Sequence, residues 1–268
     1  MHYKICGRGR PLVALHGFTR DHRLMQGCLE PVFRKRGGWM RIYPDLPGMG
    51  KTLGTEGITS TDQMLGAVLQ FIEKVIPGQR FVLAGESYGG YIARAVIQNK
   101  PSIVDGLLLI CPLIVPERSK RKLPQLRVLL QDSRFLSTLS EGDEALFRKD
   151  HAILTPKVWK RFAKEVLPGI RAADYEFLEQ IEKQGYPLSY DLDGNNEVFD
   201  KPSLLLAGRQ DDTVGYSDAL PLIEKYPRMT FAVIDCADHD LQIEQEKIFS
   251  TLTNDWLDRI EQFTNQQT

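Results

Sequence analysis

The segment Gly85-Glu86-Ser87-Tyr88-Gly89-Gly90 holds a serine between two glycines at the spacing G-x-S-x-G. It directly follows the apolar run Phe81–Ala84 and directly precedes an amphipathic stretch, so Ser87 falls where a strand turns into a helix. Such a turn brings the residues two before and two after the serine together, and only small ones fit. It also puts the hydroxyl at a helix N-terminus, where free N–H groups and the dipole favour negative charge. That is a setting for nucleophilic attack by Ser87 on an electrophilic carbon.

A serine hydroxyl is inert without a proton acceptor. The chain has five histidines: His2, His16, His22, His151 and His239. His239 alone follows a late apolar run, Thr230–Ile234, and precedes a helix, at the end of the strands where sites form in parallel sheets. An imidazole in this role needs a carboxylate to orient it and to stabilise its charge. Gly208-Arg209-Gln210-Asp211-Asp212-Thr213-Val214 follows the run Ser203–Ala207 and offers two. Adjacent residues cannot both point into one site, and the spacing alone leaves Asp211 and Asp212 open. Acyl transfer also needs two N–H donors aimed at the developing oxyanion. The backbone N–H of Tyr88 supplies one. That of Phe18, in the His16-Gly17-Phe18 loop after Leu12–Leu15, supplies the other, with His16 and Gly17 supporting the loop.

These residues must be positioned by the elements around them. Six short apolar runs, Leu12–Leu15, Met40–Tyr43, Phe81–Ala84, Gly106–Ile110, Ser203–Ala207 and Thr230–Ile234, read as strands buried on both faces. Helical periodicity lies between and after them, over Thr61–Val75, Tyr88–Gln98, Asp218–Tyr226 and Gln242–Phe263. The alternation predicts an α/β fold, a mostly parallel sheet flanked by helices. From Leu113 to Asp200 the alternation stops. Leu123–Phe135, Glu144–Leu154, Pro156–Leu167 and Ala172–Gln184 read as helices, punctuated by prolines. The expected division is a core of residues 1–112 and 201–268 and a helical cap insertion of residues 113–200. Leu126, Leu129, Leu130, Phe135, Phe147, Trp159, Phe162, Tyr175 and Phe177 are candidate walls of a pocket under that cap.

Composition narrows the partners. A length of 268 residues buries a large core without disulfide or metal staples. Lys+Arg number 34 against 35 Asp+Glu, a formal net charge of -1, so charge gives no reason to expect nucleic acid or an anionic membrane. Cys6, Cys28, Cys111 and Cys236 show no C-x-x-C spacing, which signals neither a zinc nor a thioredoxin-type site. No secretory signal is read at the N-terminus, and no apolar run reaches the ~20 residues of a membrane span. The expectation is a cytoplasmic protein with a small-molecule substrate, no cofactor, no metal and no membrane partner; oligomeric state is not readable.

His16-Gly17-Phe18, Asp45-Leu46-Pro47-Gly48-Met49-Gly50, Gly85 to Gly89, Gly208 to Val214 and His239 together resemble the α/β-hydrolase superfamily. The resemblance spans nearly the whole chain. It implies a Ser-Asp-His order of site residues, and its acid loop, G-x-x-D-x-x-V laid on Gly208 and Val214, selects Asp211. It also implies that the insertion takes the place of the family's helical cap. The chain departs from the pattern in its short N-terminus, which suggests a missing first strand, in Met49, and in Phe18-Thr19 after His-Gly.

The expected activity is a serine hydrolase, a carboxylesterase forming an acyl-enzyme on Ser87, with His239 as base and Asp211 as its partner. A lyase or a carbon–carbon bond hydrolase on the same residues is the alternative. An acidic lyase substrate would call on Arg20, Arg23 or Arg94. A non-catalytic binding protein is a third class, against which a complete set of catalytic residues argues.

Overall fold

The apolar runs pair side by side. In the computed structural model, which describes all residues except 56, 126, 195, 196, 267 and 268, seven strands among the described residues form one sheet in the order β1-β3-β2-β4-β5-β8-β9. These are β1 (Tyr3–Gly7), β2 (Arg10–Leu15), β3 (Trp39–Pro44), β4 (Phe81–Glu86), β5 (Val104–Ile110), β8 (Ser203–Gly208) and β9 (Met229–Ile234). All neighbours are parallel except β1, which runs antiparallel to β3. Pairings such as Val13 with Leu83, and Leu109 with Leu205, set the register. The central strands β2, β4, β5 and β8 are buried along almost their whole length. Each fully buried aliphatic side chain there contributes roughly 1.5–3 kcal/mol of transfer free energy.

Helices cover the sheet: α1 (His22–Phe33), α2 (Thr61–Val75), α3 (Tyr88–Asn99) and, at the end of the chain, α9 (Leu222–Lys225), α10 (Leu241–Glu244) and α11 (Glu246–Asn265). Ser60 caps α2 by accepting from Gln63 N–H, while Met64, Leu65, Val68 and Ile72 face inward at helical spacing. Trp256, Leu257 and Ile260 of α11 are buried, and the Trp256 indole donates to the Pro202 carbonyl.

The sequence marks no strand before Leu12, yet an antiparallel one is present at the edge of the sheet. Tyr3–Gly7 pairs with β3 over five residues. It escaped notice because it is an edge strand, largely exposed, with little apolar content to mark it. Helix α1 was also missed, since Gly27 and Pro31 interrupt its pattern; Asp21 caps it by accepting from Arg23 N–H. The helix expected over Asp218–Tyr226 is interrupted at Pro221, leaving a short 3₁₀ turn and α9.

Between β5 and β8 the chain carries α4 (Ser133–Leu136), α5 (Glu141–Lys149), α6 (Pro156–Glu165), α7 (Leu167–Ala172) and α8 (Tyr175–Gly185). Two short strands, β6 (Leu130–Gln131) and β7 (Ile153–Leu154), pair in parallel. Among the described residues of the helix expected over Leu123–Phe135, only the end is helical, from Ser133 after the Asp132 cap. Pro124 breaks it early, and Val128, Leu129 and Leu130 are exposed rather than stacked on an apolar face. Leu126 lies outside the described residues. A second apolar cluster of Phe147, Val158, Phe162, Leu167 and Ile170 draws in Leu24 of α1 and Ile243 of α10, which fastens this segment to the sheet domain.

No helix among the described residues is long and apolar enough to cross a membrane.

Candidate active site

Strand β4 ends at Glu86 and α3 begins at Tyr88, leaving Ser87 alone at the turn with φ 51° and ψ −118°. A non-glycine residue in that region is strained and persists only where its surroundings hold it. Here the Ser87 carbonyl accepts from the N–H groups of Gly90, Tyr91 and Leu113, and the Ser87 N–H donates to Ile110. The flanking glycines have a steric cause. A Cβ on Gly85 would lie 2.4 Å from the Gly89 carbonyl oxygen, and one on Gly89 would lie 2.3 Å from that of Leu15.

His239 follows β9, and its Nε2 lies 2.9 Å from Ser87 Oγ. Its Nδ1 lies 3.0 Å from Asp211 Oδ2. The other Asp211 oxygen accepts the N–H groups of Thr213 and Val214, both at 2.9 Å. Burial pushes the Asp211 carboxyl up, but His239 and these two N–H groups outweigh it and hold the carboxyl below its ordinary value. For His239 burial disfavours the charged ring, yet Asp211, and behind it Glu86 and Asp150, raise it well above an ordinary imidazole. Asp212 is half-buried, and its backbone carbonyl accepts from Arg118. The two loops are stitched together: the Gln210 amide donates to Asp235, and its oxygen accepts the Ala237 N–H.

The loop after β2 is held from beneath. His16 is fully buried, with Nδ1 2.8 Å from the Gly17 carbonyl and Nε2 accepting the Leu46 N–H at 3.0 Å. Those bonds require the neutral Nδ1–H tautomer, and burial lowers the ring's pKa accordingly. Asp45 anchors the neighbouring loop by accepting from His22 N–H, Lys51 N–H and the rings of His2 and His22. Although burial disfavours its charge, those hydrogen bonds keep the Asp45 carboxyl well below the usual range.

Phe18 and Tyr88, whose N–H groups the sequence assigned to the oxyanion, are locked to each other through their rings. Their centroids lie 5.1 Å apart edge to face, and Tyr186 packs on both at 5.4 Å. The Tyr88 hydroxyl meets Thr61 Oγ1 at 2.9 Å, which ties the assembly to α2. Tyr88 is the first residue of α3, so its N–H has no intrahelical acceptor.

A family model described as the alpha/beta hydrolase fold matches residues 10–246. The chain belongs to the α/β hydrolase fold family. On that membership it is an enzyme of the hydrolase class. It is 26% identical over 287 residues to the monoacylglycerol lipase abhd6-A of Xenopus laevis, covering 99% of this chain and 82% of that protein. It is 25% identical over 288 residues to the human monoacylglycerol lipase ABHD6, with the same coverage. Among solved structures, an alpha/beta superfamily hydrolase from Oenococcus oeni PSU-1 superposes with a TM-score of 0.89 at 28% identity, covering 97% of this chain and 96% of that one. A thermophilic esterase from Thermogutta terrifontis shares the fold, with a TM-score of 0.65 at 22% identity over 97% and 93% of the two chains.

In this α/β hydrolase, Ser87 and His239 open on a cavity of about 450 Å³. Phe18, Thr19, Leu113, Tyr186, Pro187 and Val214 supply much of its wall, with Arg20, Arg118, Arg121 and Lys149 set among Glu117, Asp150 and Glu182. None of the eight apolar wall candidates that fall among the described residues lines it. Phe147, Trp159 and Phe162 pack on one another at centroid distances of 5.3–5.6 Å, away from the serine. Leu129, Leu130 and Tyr175 are exposed, and Phe177 lies against Gly48 and Gly54. An amphipathic pattern marks which residues avoid water, but not whether they do so against each other or around a ligand. Of the basic candidates, Arg20 alone lines the cavity, bound to Asp150 at 2.7 Å. Arg23 pairs with Asp21 and Arg94 with Asp193, both elsewhere.

The sequence reading passed over three residues at the site: Asp150, Tyr186 and Glu86. Asp150 and Arg20 form a buried ion pair joining the β2 loop to the end of α5. Tyr186, beyond α8, closes the aromatic group around Phe18. Glu86, next to the nucleophile, is buried with its carboxyl facing His239. A charged residue at the end of an otherwise apolar strand was the available signal for Glu86.

Proposed function

We propose that this protein is a serine esterase that cleaves a small-molecule carboxylic ester through an acyl-enzyme on Ser87. The reading is carried by one observation: Ser87 Oγ, His239 and Asp211 form an unbroken chain of contacts at 2.9 and 3.0 Å beside a cavity. Ser87 Oγ attacks the acyl carbon while His239 Nε2 takes its proton. Asp211 holds Nδ1–H and stabilises the imidazolium. The carbonyl oxygen, now negative, is met by the N–H groups of Phe18 and Tyr88. His239 returns the proton to the departing alkoxide, which leaves as the alcohol. Water then enters, gives its proton to the same Nε2 and releases the acid, restoring Ser87.

Residues 113–200 act in this reading as a cap, and the substrate lies between that cap and the sheet. Support comes from the walls the segment provides, Leu113, Pro116, Arg121, Lys149, Tyr186 and Pro187 among them. Walls of this kind exclude water and orient a ligand. The relatives named monoacylglycerol lipases make an ester the first bond to test.

The test is a panel of p-nitrophenyl esters of increasing acyl length, run beside labelling with a fluorophosphonate and mass analysis of the adduct. Ester turnover with the adduct on the Ser87 peptide is the expected result. An adduct on another residue, or no turnover of any ester, would overturn the reading.

A further inference from the structure

Glu86 stands between Gly85 and the nucleophile as the last residue of β4. It is 1% exposed, no side chain hydrogen-bonds either carboxyl oxygen among the described residues, and the backbone N–H of Gly17 is the donor turned toward it. Burying a carboxyl in that state opposes folding, so its place beside the reactive serine calls for a function. Glu86 Oε1 lies 3.4 Å from His239 Nε2, the same nitrogen that Ser87 Oγ approaches to 2.9 Å. His239 is therefore flanked by carboxylates at both ring nitrogens, Asp211 at Nδ1 and Glu86 at Nε2.

We propose that Glu86 is a positioning residue for His239, a second carboxylate that stabilises the charged ring at Nε2 and so sets the pH at which Ser87 becomes nucleophilic. The proposal rests on the reading of Ser87 as nucleophile and His239 as its base.

Nε2 must be free of its proton to accept one from Ser87. A carboxylate close to that nitrogen favours the protonated ring. With rising pH it delays the release of the resting proton. During attack, the same charge supports the imidazolium that forms. Glu86 thus trades activity at low pH for stabilisation of the charged state in the reaction.

The surroundings allow Glu86 to titrate with its neighbour. Burial drives its carboxyl up, His239 and Arg20 pull it back, and Asp240 pushes it further, leaving it at about 7. Arg20 is itself held by Asp150. The Cys28 and Cys111 thiols and the Tyr186 hydroxyl also face Glu86, and burial raises all three, so they stay neutral. The charged groups that act on Glu86 are therefore His239, Arg20 and Asp240, with Asp211 and Asp150 behind them. Protons lost by Glu86 and His239 belong to the pair, and the acid limb of a rate profile reports both.

The experiment compares the full-length protein with Glu86→Gln from pH 5 to 10. It reads the rate of fluorophosphonate labelling at Ser87 and kcat/KM on a p-nitrophenyl ester. Glu86→Gln should move the midpoint of the acid limb down by about one pH unit and lower the plateau roughly three- to tenfold. A structural role alone would scale the profile without moving its midpoint, so superimposable normalised profiles overturn the proposal. Should Glu86→Gln fail to fold, Glu86→Asp decides, because it keeps the charge but draws it back from Nε2; a lowered midpoint supports the proposal and an unmoved one overturns it. A wild-type protein that does not label at Ser87 removes the underlying reading and this proposal together. Labelling of the wild type with an unmoved variant midpoint removes this proposal alone.

Discussion

Asp211 Oδ2 lies 3.0 Å from His239 Nδ1, while the other oxygen of the same carboxylate is held by two backbone N–H groups of its own loop. The carboxylate is thus fixed before it meets the imidazole, and the ring can take only one orientation toward Ser87. Asp211→Asn would keep the shape of the loop but offer an amide N–H or a weak acceptor to Nδ1. It should lower kcat by about ten-thousand-fold. Asp212→Asn, whose side chain takes no part in that contact, should remain within a few-fold of wild type. Steady-state kinetics of the two variants in parallel checks the pair; equal losses would contradict the assignment.

Ser87→Ala should lower kcat by about a million-fold while leaving the far-UV spectrum and the melting temperature close to wild type. The hydroxyl contributes little packing, because the turn is held by the Ser87 main chain. Calorimetry beside the ester assay checks both halves. A variant that melts far earlier would mean that the hydroxyl itself holds the turn.

Phe162 and Tyr186 should separate stability from specificity. Phe162 is fully buried among Phe147, Trp159 and His151. Its replacement by Ala should cost about 3–5 kcal/mol of stability and leave the acyl-length profile unchanged. Tyr186 lines the cavity against Phe18 and Tyr88. Tyr186→Ala should change the ratio of kcat/KM between short and long esters by about tenfold. Denaturant melts and the ester panel, run on both variants, would expose the reverse pattern.

Asp238 should make the protein less stable in alkali. It is fully buried, and one of its oxygens has no partner among the described residues. Burial first, then the charges of Asp211 and Glu244, push its carboxyl up to about 9. A carboxyl raised in the folded state binds a proton that the unfolded chain releases near pH 4. Its contribution is therefore fully present below about pH 4 and declines as pH rises toward 9. Glu244, raised to about 8 chiefly by burial, acts in the same direction. Melting temperature should fall between pH 5 and 9.5, and Asp238→Asn should flatten that fall. A variant whose melting curve tracks wild type across the range would contradict this account.

Much of the scaffold was legible because it depends on local pattern. Residues buried on both faces of a parallel sheet must be apolar in sequence, so β2, β3, β4, β5 and β8 announced themselves as runs, while β9 is an apolar run at the edge of the sheet and only partly buried. The turn at Ser87 was readable for a similar reason: Gly85 and Gly89 leave no room for a side chain, and that demand shows in residue type. β1 carried no such mark, since an edge strand facing water on its exposed side need not be apolar.

The sequence by itself determined the α/β order of elements, the strand-turn-helix around Ser87 and a short choice of partners for it. Tertiary structure decided the rest. It set Asp211 rather than Asp212 against His239, put Glu86 at Nε2, and joined Arg20 to Asp150 across 130 positions of chain. It also turned Phe147, Trp159 and Phe162 toward one another instead of toward the cavity. Periodicity reports how a residue faces the water along its own element. Which two elements meet, and what each side chain finds there, depends on packing between segments distant in the chain, and no local pattern carries that information.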